Sequence, residues 1–196
     1  RVERMQSKMP DLSISNSKVT GLEKPNGVPI RSSTLLAGPV RRAASMSDCR
    51  RYRWWLSRSW GGGNGKVVCF VMLNPSTADA EIDDPTIRRC MAFARSWGFS
   101  CLSVRNLYAL RATDPARLEA ERDPVGGERG DAELAAATIA DLVVVAWGAN
   151  ASPWRERKAI ELLSGARLMC LGKTKSGHPR HPLYVRADQS LTEWSS

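Results

Sequence analysis

"KVVCFVMLNPST", residues 66–77, decides the fold. Its apolar run from Val67 to Leu73 stops abruptly at an amide, a proline and two hydroxyls. A nearly continuous apolar run of this kind is the pattern of a strand buried on both faces of a parallel sheet. Three further stretches downstream read the same way: "SCLSVRNLYAL" (100–110), "DLVVVAWG" (141–148) and "RLMCLG" (167–172). Between them lie helix signals. Asp83-Asp84-Pro85 opens a helix whose apolar stripe is Ile87, Met91, Ala94 and Trp97, and Gly98 closes it. Thr113-Asp114-Pro115 caps a short helix, residues 130–140 form an alanine-rich one, and Pro153 opens another that runs to Leu163.

Strands alternating with helices require crossover connections and place helices on both sides of the sheet. The expectation is therefore an α/β protein, a three-layer α/β/α sandwich with a central, mainly parallel four-stranded sheet. "RYRWWLSRSW" (51–60), followed by the turn "GGGNG", adds an N-terminal strand or hairpin, read as a half-buried edge strand with a charged outer face. Residues 1–45 are rich in Ser, Pro, Gly and basic side chains and carry no sustained period. They read as a disordered basic tail or a non-native extension, with residues 46–196 as a single α/β domain. A domain near that size buries about 70% of its unfolded surface, enough for a true core.

The chain carries 29 basic and 20 acidic side chains, a net charge of +9. That balance attracts polyanions, nucleic acid first. The five cysteines form no C-x-x-C pair, and four sit in apolar stretches as core thiols. A disulfide framework, a zinc ribbon and an iron–sulfur cluster are therefore not expected, and a reducing cytoplasm is. The longest uncharged apolar runs are far below the roughly 18 residues of a membrane span, so no membrane association is expected.

In open α/β sheets, ligands bind beyond the carboxyl ends of the strands. Here each predicted strand ends in polar residues: Asn74, Pro75, Ser76 and Thr77 after the first, and Asn106 at the second. Trp147, Gly148 and Asn150 follow the third, and Lys173, Thr174, Lys175, His178, Arg180 and His181 the fourth. Any one of them is ordinary turn chemistry. The set at one sheet edge points to a site. His178 and His181 are the only histidines, and the prolines beside them break the helix a metal pair would need, so no metal is expected. Either imidazole suits donation to an anion that develops during a reaction. Trp54, Trp55 and Trp60 among Arg50, Arg51, Arg53 and Arg58 suit stacking on bases, but read more plainly as the edge strand. Asp79, Asp83 and Asp84 include candidates for a general base or a magnesium ligand, although Asp83 and Asp84 more simply serve the helix N-terminus.

Taken in order, "YRWWLSRSW", "LNPSTADA", "DDPTIRRCMAFARSWGF", "NLYALRATDP", "DPVG", "VVVAWG" and "HPLY" resemble the bacterial domain-of-unknown-function family 1643, over about residues 50–190. That family is in turn distantly similar to the uracil-DNA glycosylase superfamily. The resemblance implies a fold of that type and a base-excising N-glycosidic hydrolase acting on nucleic acid or a nucleotide with an altered base. It assigns water positioning to Asn74, base reading to Asn106 and leaving-base stabilisation to His181, with His178 the alternative. Pro75, Ser76, Thr77, Tyr108 and Trp147 complete the substrate site, with Tyr108 or Trp60 stacking on the base. Lys173, Lys175 and Arg180 hold phosphates. No cofactor is implied, and the protein is expected to act as a monomer. The alternative is a non-catalytic nucleic-acid or nucleotide-binding module of the same fold.

Overall fold

A computed structural model describes residues 39–61 and 65–195. Among these described residues, seven strands form one mixed sheet: β1 (Arg41–Met46), β2 (Arg53–Ser59), β3 (Val67–Met72), β4 (Cys101–Asn106), β5 (Leu142–Val145), β6 (Leu168–Cys170) and β7 (Thr192–Glu193). Four helices are interspersed: α1 (Pro85–Ser96), α2 (Ala116–Ala120), α3 (Gly127–Ala135) and α4 (Pro153–Leu162). The strand order is β1-β2-β4-β3-β5-β6-β7. Among the described residues, no helix is long and apolar enough to cross a membrane.

The sheet corrects the expectation of four strands. Its middle run β4-β3-β5-β6 pairs in parallel, while β1-β2, β2-β4 and β6-β7 pair antiparallel. β1 falls largely inside the stretch read as a tail, and residues 1–38 of that reading lie outside the described ones. "RRAASM" has no buried face to give it a period; β2 recruits its backbone. β7 is only two residues long and owes its existence to Met169 and Cys170.

β3 is buried because both its faces are covered. Val68, Phe70 and Met72 pack with α1 residues Ile87, Cys90, Met91, Phe93 and Ala94. Cys69 and Val71 point to the other face, where Leu134 of α3 and Ala159 of α4 lie. This is the alternation of a pleated strand with an apolar layer on each side. Phe70 is fully buried and stacks on Trp97 at 5.9 Å between centroids. Burial of a side chain of that size stabilises the fold by about 1.5–3 kcal/mol.

β2 is not an edge strand. It lies between β1 and β4, and two of its arginines are among the most buried side chains, Arg53 at 1% exposure and Arg58 at 0%. The segment 78–83 supplies acceptors to both. Arg58 donates to Asp83 Oδ1 at 2.7 Å and to the Asp79 carbonyl at 2.6 Å. Asp83 is therefore taken by Arg58 and Arg42, and Asp84 alone caps α1, its Oδ1 accepting from Ile87 N–H at 2.8 Å. All five cysteines are free, and Cys69, Cys90 and Cys170 are buried. Burial pushes the Cys69 thiol up to about 12.

Candidate functional site

β3 delivers Asn74 to the carboxyl edge of the sheet, and the loop there is locked from two sides. The Asn74 side-chain NH2 donates to the Pro75 carbonyl at 2.9 Å and to the Ala112 carbonyl at 2.7 Å. Ala112 N–H returns a bond to the Pro75 carbonyl at 2.9 Å. An amide held by both its protons has only its oxygen left to offer. Among the described residues, none donates to that Oδ1. The next two residues are gripped by Arg111, which donates to the carbonyls of Ser76 at 3.3 Å and Thr77 at 3.2 Å.

β5 and the loop after β6 form the opposite wall. Gly148 adopts φ +75°, a region that glycine occupies without penalty, and its N–H donates to the Pro179 carbonyl at 2.9 Å. A side chain at Gly148 would begin 4.0 Å from the Cβ of His181. His181 precedes a short 3-10 turn, Pro182–Tyr184, where Leu183 N–H donates to its Nδ1 at 3.4 Å. α1 anchors this turn through Arg89, which donates to the Val185 carbonyl at 2.5 Å. Burial holds the His181 pKa below its ordinary 6.5, and the negative charge of Asp84 works against that shift. The ring is thus neutral at pH 7. With Nδ1 accepting, its proton sits on Nε2.

Between these walls lies a cleft of about 740 Å³. Met72, Leu73 and Ile87 supply its apolar lining, and Tyr184, 80% exposed, lines it as well. Asp84 is the one carboxylate among the residues that line it; Arg53, Lys175 and Arg180 supply positive charge. Arg53 donates to the Ala78 carbonyl at 2.8 Å and to Asn106 Oδ1 at 3.3 Å, while its Nε has no partner among the described residues. Burial brings the Arg53 pKa down to about 10, with the neighbouring Asp84 opposing. Among the described residues, no three His, Cys, Asp or Glu side chains gather as a metal-binding group.

A family model described as "Protein of unknown function (DUF1643)" matches residues 53–183. The chain belongs to this DUF1643 family. No curated protein and no solved structure is matched. Every cleft-lining residue except Tyr184 falls within the DUF1643 match, whereas β1 and β7 lie outside it.

Of the residues expected at the site, Asn74, Ser76, Trp147, Lys175, Arg180 and His181 line the cleft of this DUF1643 chain. Six others do not. Pro75 is buried behind the loop, and Thr77 is exposed on its outer side. Asn106 is 5% exposed and sits behind Arg53, its Nδ2 without a partner among the described residues. Tyr108 belongs to the core on the other face of the sheet, its hydroxyl 2.7 Å from Ser152 Oγ. His178 Nδ1 lies 3.2 Å from Glu156, which also accepts from the Trp147 indole at 3.0 Å. Lys173 donates to the Ser195 carbonyl at 2.6 Å. Neither aromatic suggested for stacking is free: Tyr108 is in the core, and Trp60 is 1% exposed beneath Arg95.

The cleft also takes in Arg53, Asp84 and Tyr184, of which Asp84 is among the general-base candidates of the sequence. Each has a local signal that points elsewhere. Arg53 sits in a Trp-rich strand, Asp84 in a helix-start pattern, and Tyr184 in the run "HPLY".

Proposed function

We propose that the cleft binds a nucleotide and hydrolyses its N-glycosidic bond, releasing the base from a nucleic acid or nucleotide. One observation carries the reading: a hydrogen-bond acceptor, Asn74 Oδ1, and a neutral imidazole donor, His181, are held by their other atoms on the walls of a single cleft. A volume of about 740 Å³ falls within the range of small-molecule sites. The exposed ring of Tyr184 offers a stacking face. The order of polar strand ends, which resembles that of the uracil-DNA glycosylase superfamily, supports the same reading.

In this reaction the bond between the sugar C1′ and the base nitrogen breaks, and its electron pair leaves with the base. His181 Nε2–H donates to the departing anion; one such donor contributes about 3 kcal/mol. Asn74 Oδ1 accepts from a water and orients its oxygen towards C1′. The Asp84 carboxylate stabilises the cationic sugar and takes the proton that the water loses. Arg53, a donor on every nitrogen, faces the acceptor edge of the base, and Asn106 acts by positioning it.

Incubation with oligonucleotides carrying uracil or other altered bases, followed by alkaline cleavage, tests this directly. Strand breaks that disappear in Asn74→Ala and His181→Ala are expected. No product from any base, with both variants indistinguishable from the parent, rejects it.

A second reading, nucleotide binding without cleavage, draws on Asp84. Both its oxygens accept backbone N–H groups, from Ile87 at 2.8 Å and Ala78 at 3.4 Å, so they are committed to the helix start and the preceding loop. Nucleotide-dependent thermal stabilisation with no turnover favours that reading.

A further inference from the structure

A second depression, of about 340 Å³, lies beside the cleft and shares Ser76, Ala112 and Thr113 with it. Four arginines line it, Arg50, Arg51, Arg111 and Arg117, and no acidic residue does. Two of the four are balanced: Arg50 by Asp79 at 2.8 Å and Arg51 by Glu121 at 2.6 Å, although both arginines stay more than half exposed. The other two have no carboxylate partner among the described residues. Arg111 spends its guanidinium on three backbone carbonyls, those of Ser76, Thr77 and Arg50. Carbonyls satisfy its protons without neutralising its charge. Arg111 N–H also holds the Arg51 carbonyl at 2.9 Å. The groove is therefore built: one arginine fixes the backbone of two others and of the cleft loop. Arg50 is held at φ 56°, the one positive φ outside glycine among the described residues. Such a conformation persists only where the surroundings impose it.

We propose that this groove binds the phosphodiester backbone of a single-stranded polynucleotide next to the nucleotide in the cleft. Guanidinium groups match phosphate oxygens in geometry as well as charge. The shared wall of Ser76, Ala112 and Thr113 makes the two sites immediate neighbours, which is what a chain with one base in the cleft and its neighbouring phosphates outside requires. The substrate is then a polymer, and a free nucleotide fills only the cleft. This inference rests on the cleft accepting a nucleotide, and the test separates the two.

Arg51 and Arg117 are suitable for substitution because neither lines the cleft nor braces it. The full chain and its R51E/R117E double variant are titrated against a fluorescein-labelled 16-mer of thymidylate at several salt concentrations. A thymidine mononucleotide is followed in parallel by thermal shift. The parent is expected to bind the 16-mer with strong salt dependence. The double variant should bind at least tenfold more weakly, with a log–log salt slope shallower by about 1.4, the value for two contacts to a single strand. Mononucleotide stabilisation should be unchanged. An R51Q/R117Q variant, with circular dichroism melts for both, guards against a folding defect and should show the same loss in smaller measure. Unchanged 16-mer affinity and slope in both variants overturn the groove while leaving the cleft standing. Loss of 16-mer binding without mononucleotide stabilisation supports the groove and counts against the cleft. Poly-glutamate competing as well as the 16-mer overturns the assignment to phosphodiesters.

Discussion

The side-chain amide of Asn74 donates to the carbonyl of Ala112 at 2.7 Å, tying the end of β3 to the segment that follows β4. This bond fixes which atom of Asn74 is free. It also turns an intuitive substitution into a damaging one. Asp is the stronger base, yet Asn74→Asp would set a carboxylate oxygen against the carbonyls of Pro75 and Ala112 with no proton between them. The variant is expected to lose about 1–3 kcal/mol of stability and to gain no excision rate. Thermal melts alongside an oligonucleotide cleavage assay check both parts. A variant that is as stable as the parent and faster contradicts the orientation assigned to Asn74.

His181 sets the pH response. Burial depresses its pKa below 6.5, so on acidification the unfolded chain takes up this proton before the folded one does. Its contribution to stability is therefore fully present above pH 6.5 and is lost as pH falls through the lowered native value. Excision should follow the same limb, because the protonated ring can no longer accept Leu183 N–H at Nδ1. Chemical denaturation and kcat/KM are measured from pH 4 to 8. In His181→Gln this inflection is expected to vanish from the stability curve.

Tyr184 tests binding apart from folding. Its ring is 80% exposed and lines the cleft. Tyr184→Ala should leave the melting temperature within about a degree of the parent, since surface substitutions usually stay within ~0.5 kcal/mol. Loss of base stacking should weaken ligand binding by about 1–3 kcal/mol. Isothermal titration with the best-bound nucleotide reads the difference.

Arg58 tests the frame beneath the cleft. Arg58→Met leaves Asp83 without its buried partner and the Ser57 and Asp79 carbonyls without theirs. Removal of one member of a buried pair typically costs about 3–5 kcal/mol. Urea denaturation should show a large fall in midpoint. A change below ~1 kcal/mol would mean that water replaces the guanidinium readily.

Gly148 should tolerate a side chain in space but not in conformation. Gly148→Ala meets only an ordinary contact with His181, but it must adopt φ +75°. The cost is about 1–2 kcal/mol. Because Gly148 N–H holds Pro179, any relaxation of this turn should also move His181, seen as a shifted imidazole resonance.

Elements with their own period or caps are legible in the chain's residues. β3 announces itself by an unbroken apolar run, and α1 by Asp84-Pro85 and a four-residue stripe ending at Gly98. β1 and β7 are not legible in this way, because neither carries a buried apolar run of its own and each pairs along its neighbour's backbone. Arg53 and Arg58 read as a charged outer face because charge is ordinarily solvated. The segment 78–83 reverses this by folding over β2 and offering carbonyls and a carboxylate.

The same division runs through the cleft. By itself the sequence determined that polar residues would gather at the carboxyl ends of apolar strands, since a parallel sheet has one such edge and its strands cannot reverse direction. Only the tertiary structure decided which of them line one cleft. Asn74 and His181 do, whereas Asn106, Tyr108 and His178 are turned to Arg53, Ser152 and Glu156. A side chain's direction at a strand end depends on which buried partner can satisfy it, and those partners lie far away along the chain.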